Sequence, residues 1–365
     1  MSSPAASTLQ PSLPEGFAKR PARSAFVLGA GTWGVALADA LARNDIRTLL
    51  WDHKPERLAQ MLAQGRHYKL SAYQFHPNIE AAGPLNAETV PADAWLVLAV
   101  PSFAMRETLD ELRAAGVGQR QEKLVLSAKG LELATRMTMV ELTQDVLGSE
   151  SRARVAALSG PSLAPEVVSH IPTTVVAAAD DLELARATQA MFISNSFRVY
   201  ALTDLRGVEL GGAFKNVYAI AAGVIAGLGF GDNTLAALMT RGLAEMSRLG
   251  VAMGGSPSTF AGLAGLGDLI VTCCSRHSRN RRFGELRAGG RTTEQAQEEI
   301  GQAIEGIRTA LSVHEIATEL SIDMPIVAAV HALIYGGKDP REAVRELMSR
   351  DAKEEDTLPP AANLS

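Results

Sequence analysis

An α/β domain followed by an all-α domain is the fold class this sequence predicts. Two observations carry it. Seven apolar runs of strand length alternate with helix-spaced segments as far as Leu202, whereas from Arg206 onward the apolar spacing is helical and broken by glycine turns. The length agrees, because 365 residues exceed one ordinary core and suggest two domains. The change of composition places the boundary between Asp204 and Gly211, giving domains over 24–207 and 208–350 with no long linker, so the two should share a cleft.

The first element is the most informative. Ala25-Phe26-Val27-Leu28 is a short apolar strand; Gly29-Ala30-Gly31-Thr32-Trp33-Gly34 follows; then Val35, Ala36, Leu37, Ala40 and Leu41 recur at helical spacing. Strand, glycine turn and helix in this order form a dinucleotide fingerprint. Gly29 serves the tight turn, Gly31 lets the backbone approach a pyrophosphate, and Gly34 lets the helix pack on its strand. The free N–H groups at the helix start then face the diphosphate. Ile46 to Trp51 is the second strand. Asp52 stands at its end, where an acid can receive a ribose hydroxyl, while His53, Lys54 and Arg57 could instead hold a 2′-phosphate. Tyr68 to Glu88 has mixed polarity and turn residues, and is expected to do no more than cover the adenosine side.

Three further runs, Trp95 to Val100, Leu124 to Ala128 and Val155 to Leu158, end in Pro101-Ser102-Phe103, Lys129-Gly130 and Ser159-Gly160-Pro161-Ser162. Ligands of open α/β sheets bind beyond the carboxyl ends of strands, so these turns belong to the substrate and nicotinamide side. Ser162 is also expected to N-cap a helix opening at Leu163. Thr173 to Ala179 and Phe197 to Leu202 extend the sheet.

In the second domain, Gly211 to Phe230 is long and apolar enough to span a bilayer, but it carries Lys215, Asn216 and five glycines, which favours a buried core helix over a membrane span. A buried lysine is costly unless paired or deprotonated, and a second cation such as Lys129 beside it would lower its pKa into a range useful for acid and base work. Gly262 to Arg282 holds Asp268 in an apolar, glycine-rich run, and Arg276, Arg279, Arg281 and Arg282 follow; such a basic run is usually a solvated face, but arginine beside asparagine also suits a phosphate clamp.

Composition excludes other classes. Lys and Arg number 35 against 40 Asp and Glu, a net charge of −5, which gives no electrostatic case for nucleic acid or an anionic membrane. Cys273 and Cys274 are adjacent and form neither a disulfide framework nor a CxxC pair, and no His/Cys/Asp cluster has metal-ligand spacing, so no metal is expected and a reducing cytoplasm fits. Residues 1–23 and 351–365 read as disordered tails.

With these residues in view, the chain resembles the bacterial NAD(P)-dependent glycerol-3-phosphate dehydrogenases from about Ser24 to Arg350. GAGTWGVALA, LVLAVPS, SAKGLE, SGPS, LGGAFKNVYAI, TRGLAEMSRLG, AGLGDLIVTC, SRNRRFG and Ile304-Glu305-Gly306 occur in that family's order. The resemblance implies a Rossmann-type domain before the helical one, a homodimer, NAD or NADP as cofactor, and reversible reduction of dihydroxyacetone phosphate to sn-glycerol 3-phosphate for phospholipid synthesis. It also implies that Thr32, Trp33, His53, Lys129, Ala164, Arg279, Ala303 and Glu305 lie at the cofactor. On the substrate side it implies Lys129, Gly160 and Ser162, with Lys215 as the proton-transfer lysine, Asp268 as its carboxylate partner, and Ser278, Arg279 and Asn280 on the substrate phosphate. Asp52 departs from the small residue many relatives carry, and Ala303 from their frequent valine. Two rivals share the layout: another β-hydroxyacid dehydrogenase, and a nucleotide-sensing protein without catalysis, against which the presence of Lys215 and Asp268 argues.

Overall fold

The computed structural model describes residues 22–120 and 123–351, so the expected tails lie almost wholly outside the described residues. The described residues start slightly before the expected Ser24. Ala22 is buried in the core, and the Arg23 carbonyl accepts from the Arg47 amide.

The first half runs β1 (Ser24–Leu28), α1 (Thr32–Arg43), β2 (Arg47–Trp51), α2 (Pro55–Ala63), a hairpin of β3 (Arg66–His67) and β4 (Leu70–Gln74), β5 (Ile79–Ala81), β6 (Trp95–Leu98), α3 (Met105–Ala114), β7 (Leu124–Leu126), α4 (Met139–Leu147), β8 (Val155–Ser159), α5 (Ala164–Val168), β9 (Thr173–Ala178), α6 (Leu182–Phe192) and β10 (Phe197–Leu202). All seven expected strands are present. Eight strands form one sheet in the order β10-β9-β8-β7-β6-β1-β2-β5. Sequence periodicity missed β5, a three-residue edge strand with one buried residue. It also gave no sign that β9 pairs antiparallel with β8, while the remaining neighbours pair in parallel.

Both faces of the sheet are covered, as parallel strands require. Ala25 and Val27 pack with Val35, Leu37 and Leu41 of α1, whereas their alternates Phe26 and Leu28 pack with Leu109 and Leu112 of α3 and with Leu142 of α4. The strand order reverses direction at β1 and β6, which opens the ligand crevice at their carboxyl ends.

The second half is α7 (Leu205–Gly227), α8 (Asp232–Ala252), α9 (Pro257–Phe260), a π turn over Leu263–Gly267, α10 (Asp268–Cys274), α11 (Arg279–Ala288), α12 (Thr293–Ile300), α13 (Glu305–Glu319), α14 (Pro325–Tyr335) and α15 (Pro340–Met348). The apolar stretch singled out in the sequence is the centre of this domain. In its most apolar window 89% of α7 is buried inside the protein, so its hydrophobic surface is spent on the chain's own core. A Cβ at Gly223 would overlap the Arg281 carbonyl, and one at Gly284 the Ile220 carbonyl; this close crossing seats α11 against the middle of α7.

Candidate active site

The glycine turn after β1 has the geometry its sequence implies. Gly29 takes φ +108, and a Cβ there would stand 2.9 Å from the Ala99 carbonyl oxygen; a Cβ on Gly34 would overlap the carbonyl of Gly29. Gly31 differs, because a Cβ there would meet nothing within 4 Å. Its open face lies at the start of α1, whose N-cap is Gly31 and whose first amides receive no side-chain cap. Beside them the Trp33 indole N–H is buried without a partner among the described residues, and Thr32 is half-buried. Free amides, a helix start and unfilled space suit a diphosphate, so these residues fit the dinucleotide that the motif implies.

The end of β2 departs from expectation. Asp52 does not present a free carboxylate to a ribose. Its side chain is 2% exposed, Arg57 Nη2 donates to Oδ1 and Oδ2 at 2.6 Å each, and the Lys54 amide donates to Oδ1 at 2.8 Å. Arg57 follows Asp52 by five positions, enough for the first turn of α2 to bring the guanidinium back over the strand end. His53 stands outside this pair, with its Nδ1 3.4 Å from Asp52 Oδ1.

Across the cleft, residues far apart in sequence meet on one carboxylate. Lys129, beyond the end of β7, donates from Nζ to Asp268 Oδ2 at 2.6 Å and to the Gly160 carbonyl at 3.0 Å. Lys215 of α7 donates to Asp268 Oδ1 at 2.7 Å and to the Thr272 hydroxyl at 2.6 Å, and that hydroxyl donates to the Asp268 carbonyl. Asp268 is 1% exposed, Lys215 7%. Burial pushes the Lys215 ammonium down and Asp268 pulls it back, while Lys129 pushes it down further; the outcome is about 8. Burial opposes ionisation of Asp268 too, yet the two ammonium groups together hold its carboxyl below the ordinary value. Two cations share one anion at the cleft floor, so a net positive charge faces whatever binds there.

Gly160 takes φ +129 beside Val175, which aims its carbonyl at Lys129. Ser162 does not cap a helix as expected. The N-cap of α5 is Leu163, and the Ser162 hydroxyl donates to the Gly160 carbonyl at 3.0 Å, because the SGPS turn folds back on itself before Ala164 opens α5.

The basic run after Asp268 divides. Arg281 turns to the Cys273 and Cys274 carbonyls and to Glu285, and Arg282 to Glu285 and Glu299, so both are structural. Arg279, at the first turn of α11, forms no ion pair among the described residues; its surroundings desolvate the guanidinium and push its pKa down, against the pull of Glu305. Ser278 caps α11 by accepting from the Arg281 amide at 3.2 Å. Buried Asn280 donates to the Asn216 carboxamide oxygen at 2.8 Å and accepts from the Gly306 amide at 2.9 Å, tying α7, α11 and α13 together. From the start of α13, Glu305 accepts from the Ser102 amide at 3.1 Å and from its hydroxyl, an interdomain clasp; Ala303 is half-buried just before it. Burial raises the Glu305 carboxyl above its ordinary value, against the pull of Ser102.

Thr272 escaped the sequence reading, although its place four residues after Asp268 on a helix was a usable signal. Ser102 was placed in a ligand-side turn but without a partner. The hairpin at 66–74 carried no recognisable motif, yet His67 Nε2 lies 3.3 Å from the Ala30 carbonyl of the glycine turn.

Comparison with known proteins agrees with this geometry. Residues 24–185 match the family model described as NAD-dependent glycerol-3-phosphate dehydrogenase N-terminus, and residues 204–345 match the one described as the C-terminus of the same family. The chain is 44% identical over 331 residues to a glycerol-3-phosphate dehydrogenase [NAD(P)+] of Prosthecochloris aestuarii, covering 90% of this chain and 98% of the relative. It is 45% identical over 331 residues to that of Geobacillus kaustophilus, covering 90% and 95%. The crystal structure of glycerol-3-phosphate dehydrogenase from Coxiella burnetii superposes with a TM-score of 0.83 at 38% identity, covering 90% of this chain and 99% of that one.

Proposed function

The chain belongs to the NAD-dependent glycerol-3-phosphate dehydrogenase family, and on that premise we propose how its residues divide the work. It is an oxidoreductase that interconverts dihydroxyacetone phosphate and sn-glycerol 3-phosphate with NAD(P)H, the product being the backbone of glycerophospholipids. The bound nicotinamide supplies the hydride. Lys215, as ammonium, gives its proton to the C2 oxygen of the ketone as negative charge grows there, and Lys129 adds positive field from the opposite side. Asp268 orients both ammonium groups, and in the reverse direction neutral Lys215 takes the proton. Arg279 holds the substrate phosphate, with Ser278 and Asn280 shaping the helix start that presents it.

The glycine turn with Thr32 and Trp33 holds the diphosphate. His53, Ala164, Ala303 and Glu305 complete the cofactor side, and Gly160 and Ser162 line the substrate side next to Lys129. In this reading 24–207 is the dinucleotide-binding domain and 208–350 the substrate domain, and a homodimer works in the cytoplasm; the free thiols of Cys273 and Cys274 suit a reducing compartment. The meeting of Lys129, Lys215 and Asp268 across the cleft carries the reading. Following NADH and NADPH oxidation separately with dihydroxyacetone phosphate tests it: turnover with either cofactor is expected, and none with both would overturn it.

A further inference from the structure

Lys129 lies on the segment 127–138 between β7 and α4, which forms neither helix nor strand. A long side chain on irregular backbone keeps one position only where tertiary contacts impose it, because its rotamer entropy works against any single geometry. Here the contacts come from α7, the helix that carries Lys215.

At the far end of the segment α7 grips the start of α4. Glu209 Oε1 accepts from the Val140 amide at 2.8 Å, one of the first amides of α4 that no intrahelical carbonyl can reach. Arg206, one turn earlier on α7, pairs with Glu141 at 2.5 Å and donates to the Met253 carbonyl at 3.1 Å. Glu141 in turn closes a capping box with Thr138, so the segment ends at a fixed point. In the middle, Leu131 is buried in the core of the helical domain. At the near end Gly212 faces the Lys129 stem: a Cβ there would stand 3.4 Å from its Cγ, 3.6 Å from its Cδ and 2.9 Å from the Ser159 hydroxyl. Lys129, Ser159, Glu209 and Gly212 line one small cavity. Arg206, Glu209, Gly212 and Lys215 follow one another at intervals of three residues, so each neighbours the next on the surface of α7.

The proton transfer itself uses neither Glu209 nor Gly212. We propose that Glu209 is a positioning residue: by tying the start of α4 to α7 it fixes, together with the Gly212 seat, where the Lys129 ammonium stands on Asp268 relative to Lys215. One helix then sets both cations, Lys215 directly and Lys129 through α4. A retreat of Lys129 would relax the repulsion that helps depress Lys215, and the acid that protonates the substrate would feel it. This catalytic consequence rests on the reading of Lys215 as the proton donor.

Glu209→Ala removes the acceptor and leaves the Val140 amide unpaired, whereas Glu209→Gln keeps an oxygen for it. A neutral side chain is a fair substitute, because the surroundings of Glu209 already push its carboxyl up to about 7. Reductive methylation of Lys129 in the full chain, read by mass spectrometry, reports whether its amine is held: it should be severalfold faster in Glu209→Ala and unchanged in Glu209→Gln. In dihydroxyacetone phosphate reduction Glu209→Ala should lose ~10- to 10²-fold in kcat, the scale of a reacting group misplaced by about an ångström. The falling limb of its pH profile should move up by about half a unit, as a retreat of Lys129 by about 2 Å would give. Glu209→Gln should restore both. In a Lys129→Met background Glu209→Ala should cost less than about twofold, because the group it positions has gone. Gly212→Ala, which presses a methyl toward Ser159 and the Lys129 stem, should give the same displaced limb and the same lack of additivity, and stands in where Glu209→Ala does not fold. Wild-type labelling in Glu209→Ala and Gly212→Ala, or losses that add to that of Lys129→Met, would overturn the proposal and leave Glu209 a structural cap. Faster labelling with a limb that stays in place, in these variants and in Lys129→Met alike, would support the positioning and overturn Lys215 as the titrating acid.

Discussion

Replacing Lys129 by Met removes one of two ammonium groups that share the Asp268 carboxylate, and should move the pKa of the other. The Nζ of Lys129 sits 2.6 Å from Oδ2 and that of Lys215 2.7 Å from Oδ1. Ammonium groups on opposite oxygens of one carboxylate stand about 5 Å apart, and at an effective dielectric of ~20 to 40 they repel by about 1.7 to 3.3 kcal/mol. That is about 1 to 2.5 pKa units. Lys129 is one of the causes that depress Lys215 to about 8, so its loss raises Lys215. Reduction needs the ammonium form: kcat/KM for dihydroxyacetone phosphate should be flat at low pH and fall above about 8 in the wild type, with the falling limb displaced upward by at least one unit in Lys129→Met. Glycerol 3-phosphate oxidation needs the neutral amine, and its rising limb should move the same way. The rate itself should drop ~10²- to 10³-fold, because a cation facing the developing oxyanion has gone. The assay is a pH series from about 6 to 10.5 at constant ionic strength in both directions. Limbs that stay in place, or move down, would refute the coupling and with it Lys215 as the titrating acid.

Lys215→Ala should lower kcat by ~10² to 10⁴ while NADPH binding, followed by fluorescence, stays within about twofold, since the proton donor and the glycine turn belong to different domains; a variant keeping a tenth of the rate would remove Lys215 from its role. Gly34→Ala drives a methyl into the Gly29 carbonyl, where only backbone can give way, so urea unfolding should show a loss of about 1 to 3 kcal/mol and calorimetry a weakened dinucleotide. Wild-type behaviour in both would mean the turn has slack that the close packing denies. Arg279→Ala should cost about 1.5 to 3 kcal/mol, ten- to a hundredfold in kcat/KM, with dihydroxyacetone phosphate and much less with dihydroxyacetone. Equal losses on the two substrates would assign Arg279 to the cofactor or the fold.

What the sequence determined by itself is what depends on near neighbours along the chain. The strand, glycine turn and helix from Ser24 to Arg43 are written in adjacent residues, because φ at Gly29 and the packing of Gly34 are settled within six positions. The seven strands were legible as apolar runs, and α7 as a core helix, since burying its surface is the cheapest fate for a segment that carries Lys215. Tertiary structure decided what burial periodicity does not encode. The antiparallel entry of β9 beside β8 depends on where the chain goes after α5, and a run of alternating apolar residues reads alike in either direction. Lys129 meets Asp268 over 139 residues of chain, and Glu305 meets Ser102 over 203; such pairs exist only once the two cores have docked. Even between Asp52 and Arg57, five positions apart, the sequence leaves the choice open, because an acid at a strand end can face a ribose or a guanidinium with the same sequence. Where α2 packs chooses the guanidinium, and a carboxylate that is 2% exposed gains more from a fixed cation than from water.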